Sequence, residues 1–267
     1  MTPNTTTPNT MTPNTMTPNT MTPNTTTPNT TTRSNAKRNA SNATFLASAI
    51  AALLLAAHGD AKAQTSAALR DSLKAATDRL EYAPNSVDLR LRKASYNLQL
   101  EQWAYAQEEY DRILSRNPSN LAALFYRAYT NEKLHRNNFA RLDYENLLAI
   151  VPGNFEAQLG LALLNQKDKH HTEALDQINR LVNQYPDSAV AYAARAGIEK
   201  EQGMLSLAAF DYREAIRRDS SNTDYRIDYI DTLLADKKKD EARRELDRLV
   251  SMGIPRASLR NFFKRCK

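Results

Sequence analysis

From residue 66 onward the apolar side chains recur at helical spacing, three and four residues apart. Leu69, Leu73, Ala76 and Leu80 make one such stripe and predict a single helix over 66–82. Beyond it the pattern becomes periodic. Ala106, Ala140, Ala174, Ala208 and Ala242 stand 34 residues apart. Each is followed four residues later, on the same helical face, by a larger side chain: Tyr110, Tyr144, Ile178, Tyr212 and Leu246. A second series, Ala94, Ala128, Ala162 and Ala196, keeps the same step. Two small positions per period let two helices approach closely, so each unit reads as a helical hairpin.

Proline marks where the helices stop. Pro84, Pro118, Pro152 and Pro186 repeat at 34 residues, and a helix-interior proline costs about 3 kcal/mol through a lost hydrogen bond and a ring clash. Two residues after each proline slot come Ser86, Asn120, Asn154, Ser188 and Asn222, side chains that accept from the free N–H groups opening a helix. In the fifth slot Ser220 replaces proline, yet its cap is retained. Pro255, suited to a first helical position, predicts a last helix carrying Leu259, Phe262, Phe263 and Cys266.

With alanine at both small positions and proline at the closing one, the chain resembles the tetratricopeptide repeat (TPR) family, whose period is 34 residues. The resemblance covers 87–253 and implies an all-α, right-handed α-solenoid of about five hairpins, 87–120, 121–154, 155–188, 189–222 and 223–253. An N-terminal packing helix in 64–86 and a C-terminal capping helix in 254–267 would close its ends, as stacked repeats require. The alternative for the last segment is an exposed Phe262/Phe263 docking site. Some positions depart from the family pattern. The large apolar residue expected fourth in the first helix is Arg90, Gln158 and Arg226 in three repeats, and the position before the first small residue is Lys93, Arg127 and Arg195 in three.

The N-terminal 63 residues are a separate object. Residues 1–30 are copies of MTPNT or TTPNT, with no means of building a core, so disorder is expected over 1–32. Then follow Arg33, Lys37 and Arg38, an apolar run from Phe45 to Ala57, and Ala61-Lys62-Ala63 before Gln64. Basic, apolar, small-x-small is the order of a secretory signal peptide over 33–63, with cleavage between Ala63 and Gln64. The run is shorter than the roughly 20 residues that span a bilayer. The expected location is the periplasm or outside the cell, with no integral span in the mature chain; an uncleaved membrane anchor is the rival reading.

Composition narrows the partners. Residues 1–63 hold four basic side chains and one acidic, so their removal lowers the net charge from +6 to +3. A mildly basic chain does not point to nucleic acid. Arg256, Arg260, Lys264, Arg265 and Lys267 gather at the end, either as a solvated helix face or as a weak contact for an anionic envelope surface. Cys266 is the sole cysteine and reads as a small core-facing side chain. No phosphate-cradling glycine loop, paired cysteines, G-x-S-x-G or H-E-x-x-H motif occurs, so neither catalytic residues nor a metal or cofactor is assigned.

The resemblance places the binding surface on the first helix of each hairpin. The family's carboxylate-gripping Lys and Asn set is missing, since Leu91/Ser95 and Phe125/Tyr129 occupy its positions. What the groove offers instead is Phe125, Tyr126, Tyr129, Leu159 and Leu163, edged by Arg92 and Glu156, a lining suited to an apolar segment of a protein or peptide partner. Packing between neighbouring hairpins is the competing role for these side chains. The expected function is a non-catalytic envelope scaffold. The alternatives are a regulatory or substrate-cradling part of a cell-wall-polymer enzyme, or a secreted protein that engages host components.

Overall fold

The computed structural model describes residues 61–267, with side chains from Ser66 onward. The disordered tract expected over 1–32 and the signal segment up to residue 60 lie outside the described residues. Twelve helices and no strand are found among those described. The first, α1 (Ala61–Tyr82), begins three residues before the proposed mature N-terminus, so Ala63 and Gln64 fall in its opening turn. Five hairpins follow: α2 (Val87–Gln99) with α3 (Trp103–Leu114), α4 (Leu121–Lys133) with α5 (Asn137–Ile150), and α6 (Phe155–Lys167) with α7 (His171–Gln184). Then come α8 (Ala189–Glu201) with α9 (Leu205–Arg218), α10 (Thr223–Ala235) with α11 (Lys239–Ser251), and a short α12 (Arg260–Arg265).

Each predicted cap is made. Ser86, Asn120, Asn154 and Ser188 accept from the backbone N–H groups of Leu89, Ala123, Ala157 and Ala191 at 3.3, 2.9, 2.8 and 3.2 Å. Asn222 accepts from Asp224 N–H at 3.0 Å. The turn inside each hairpin is equally regular. Glu101, His135, Lys169, Gly203 and Lys237 all have positive φ, between 58° and 78°. The next N–H then reaches back six residues, as from Gln102 to Asn97 O and Arg136 to Asn131 O, both at 2.8 Å, and occupies helix-end carbonyls. Only one repeat spends a glycine on this left-handed position; the others bear the steric cost of a side chain, of order 1 kcal/mol each.

All nine alanines of the two periodic series are completely buried. Their small size lets the paired helices meet, while Tyr110, Tyr144, Ile178, Tyr212 and Leu246 fill the space beyond. Every helix packs on the one before it, and the first helices of successive hairpins also touch directly, α2 on α4, α4 on α6 and α6 on α8. These first helices therefore form one continuous layer. The apolar clusters run from α2 to the C-terminus without a separate globular core, as expected when each repeat buries its face on its neighbours.

The basic departures from the family pattern have a common cause. Each hairpin carries a polar side chain near the middle of its second helix: Glu109, Asp143, Gln177, Asp211 and Glu245. Where it is a carboxylate it is buried, and a base from the first helix neutralises it. Glu109 takes Arg90 at 2.6 Å and Lys93 at 2.8 Å. Asp143 receives both arms of Arg127 at 2.9 and 2.6 Å, Asp211 both arms of Arg195 at 2.5 and 2.9 Å, and Glu245 pairs with Arg226. In the third repeat the acid is Gln177, and no base stands opposite: Gln158 instead donates to Pro152 O at 2.8 Å. A buried charge is tolerated only when paired, so acid and base appear or vanish together.

The C-terminal segment corrects one expectation. No helix opens at Pro255. Three-residue hydrogen bonds, from Ser258 N–H to Pro255 O (3.0 Å) and from Leu259 N–H to Arg256 O (3.2 Å), make turns there, and the helix starts only at Arg260. The anchor is Leu259, 3% exposed. Phe262, Phe263 and Cys266 lie half-buried against the last hairpin, and burial pushes the Cys266 thiol up. The Phe pair is packed rather than presented.

Candidate groove on the first-helix layer

The layer formed by α2, α4, α6, α8 and α10 carries the predicted binding residues, and the structure divides them. Phe125 and Tyr126 are buried, at 8% and 4% exposure, which corrects their reading as open surface. Tyr126 stacks on Tyr110 with ring centroids 6.1 Å apart, and Phe125 sets its edge on Tyr126 at 5.3 Å and lies 6.0 Å from Tyr144. The physical reason is the tyrosine of the second helix. It reaches through to the first-helix layer and draws the next repeat's aromatics around it.

Tyr129, Leu159, Leu163 and Arg92 keep accessible surface. Leu163 is 43% exposed, Tyr129 and Leu159 are half-buried, and Arg92 is exposed beside Asp88 at 3.0 Å. Tyr129 sits edge-on to Trp103 at 6.4 Å, and the Lys133 ammonium lies 5.0 Å from its ring centre and 6.0 Å from that of Trp103. Trp103 and Lys133 were not legible as groove residues because they belong to a turn and a helix end, where the repeat pattern assigns no ligand role. Gly160 is a further omission. A Cβ there would lie 2.5 Å from the Tyr144 ring, whose hydroxyl donates to Glu132 at 2.7 Å.

The charge of the layer changes along its length. Burial raises the Glu132 carboxyl even though Tyr144 donates to it. Farther on, α8 presents the small side chains Ala193, Ala194 and Gly197, and α10 presents Asp228 and Asp231. Burial raises Asp228. Asp231 behaves oppositely: against the cost of burial, hydrogen bonds from Lys200 at 2.5 Å and Arg265 at 2.6 Å hold its carboxyl below the usual range. Arg265 thus ties the last short helix to α10. Beneath the layer, Glu199 is 7% exposed, and one of its oxygens has no hydrogen-bond partner. Burial first, and then the neighbouring Asp211, push its carboxyl up to about 7, with Arg195 opposing.

No family model and no curated protein matches the chain. Solved structures do. A tetratricopeptide repeat protein from Parabacteroides merdae superposes with a TM-score of 0.63 at 21% identity, covering 76% of this chain and 79% of the other. The fold is that of a TPR protein. PilW, a widely conserved type IV pilus biogenesis factor, matches the TPR chain with a TM-score of 0.62 at 18% identity, over 72% of this chain and 92% of PilW. A thermophilic TPR protein from Thermus thermophilus matches at 0.55 and 17% identity, over 65% and 95% respectively. Among the described residues of the TPR chain, no helix is long and apolar enough to cross a membrane.

Proposed function

We propose that this chain is a non-catalytic scaffold of the bacterial cell envelope, exported by its N-terminal segment, which binds an apolar segment of a partner protein on its first-helix layer. The observation that carries the reading is the accessible strip Tyr129, Leu159 and Leu163, with Trp103 and Lys133 beside it, on helices whose spacing the buried alanines fix. Aromatic and apolar side chains in a pre-formed groove supply binding energy at little ordering cost. The likeness to PilW supports an envelope role through fold alone. The basic, apolar, small-x-small order of residues 33–63 supports export.

The test is affinity capture from envelope extracts with the wild type and a Tyr129→Ala/Leu163→Ala variant, paired with circular dichroism. Both side chains retain exposed surface, so the variant keeps its helicity and loses a specific partner. An unchanged partner set refutes the groove.

A further inference from the structure

A second site lies on the other side of α2. Lys93 and Asn97 sit two residues on from Leu91 and Ser95, about 200° around the helix, and so face away from the groove. They line a cavity of about 220 Å³ enclosed by α1, α2 and α3, with Leu73 on one wall and Tyr105 and Gln102 on another. Asn97 is 2% exposed, and its side-chain Nδ2 has no hydrogen-bond partner.

Comparison between repeats explains the orphan. At the same position of the second and third hairpins, Asn131 Nδ2 donates to Asp143 at 3.3 Å and Asn165 Nδ2 donates to Gln177 at 2.7 Å. The equivalent acceptor for Asn97 is Glu109. Both oxygens of Glu109 are already taken, one by Arg90 at 2.6 Å and the other by Lys93 at 2.8 Å. Against the cost of burial, those two bonds hold the Glu109 carboxyl below the usual range, so it stays ionised and occupied. Lys93 spends one of its three N–H groups there and keeps two. Two bases against one buried acid leave a single positive charge in excess, and Arg90 Nε is also unpartnered.

The groups left over are donors, and the surplus charge is one positive unit. We infer that this cavity binds a carboxylate group, held by Lys93 Nζ and Asn97 Nδ2, with its carbon chain against Leu73 and Tyr105. The volume suits one acidic side chain or one chain end rather than a drug-sized molecule. The site is separate from the groove proposed above, so either can fail without the other. It also uses none of the family's groove positions for carboxylate.

The experiment follows the Asn97 side-chain NH2 signals of the full chain by ¹⁵N NMR during titration with three peptides. These are acetyl-Gly-Ala-Leu as the free acid, the same peptide as its C-terminal amide, and acetyl-Leu-Glu-Leu-amide. Saturable shifts with either acid and none with the first amide are expected; which acid acts identifies a chain end or a side chain as the source. Asn97→Ala and Lys93→Met, the latter leaving Arg90 on Glu109, should each weaken binding about tenfold or more, as for a hydrogen bond to a charged group, with helicity unchanged. The Asn97→Ala effect is read from the Tyr105 ring signals. Equal shifts with the amide, no shift with any peptide, or binding unchanged in both variants overturns the site.

Discussion

Glu199 stands where earlier repeats have Asn97, Asn131 and Asn165, and it faces the Asp211 carboxylate instead of donating to it. A carboxyl held at about 7 rather than the ordinary 4.5 is displaced by some two and a half units. At about 1.36 kcal/mol per unit, ionising it in the folded chain forfeits at most about 3 kcal/mol. Because the folded value lies above the unfolded one, this stability is fully present below about pH 4.5. It is lost as the pH rises through about 7. Glu199→Gln keeps the shape, removes the titration, and supplies an amide that can donate as Asn131 does. The variant should therefore match the wild type near pH 4.5 and exceed it at pH 8. Urea unfolding followed by helical circular dichroism at both pH values gives the difference, in which the other carboxylates cancel. A solenoid can unfold in parts, so a ¹³C titration of the Glu199 carboxyl provides the direct reading. A midpoint near 4.5, or the same pH slope in both proteins, refutes the reasoning.

Two further outcomes follow from the packing. Gly160→Ala places a methyl 2.5 Å from a Tyr144 ring that Phe125 and Glu132 hold in place. Overpacking costs about 1–3 kcal/mol, while the better helix propensity of alanine returns up to about 1, so a net loss of about 1–2 is expected by thermal or urea denaturation. Asp143→Leu strands Arg127, which is 24% exposed and retains Asp111 at 2.7 Å. The loss should be about 2 kcal/mol, below the 3–5 typical of a fully buried pair. Adding Arg127→Met to Asp143→Leu should recover most of it.

What the sequence determined by itself was the periodic part. Caps, alanines and prolines act within a single helix or between two helices adjacent in the chain, so each leaves a mark at a fixed spacing. Ser86, Asn120, Asn154, Ser188 and Asn222 all cap as their positions required. Pro255 shows where a local signal loses its force. Its ring suits a helix start, but the chain there must drop Leu259 into the last hairpin, and turns do that where a helix would not.

Tertiary structure alone decided which side chains remain available. Phe125 and Tyr129 sit four residues apart on one helix, yet the first is enclosed by Tyr144 and Tyr126 while the second keeps a free edge. The meaning of Lys93, Arg127 and Arg195 was likewise hidden, because their partners lie 16 residues away on the facing helix. Asn97 differs from Asn131 only in that two cations reach its acceptor first. Burial and hydrogen-bond competition depend on what arrives from other segments of the chain, and a 34-residue period cannot record that.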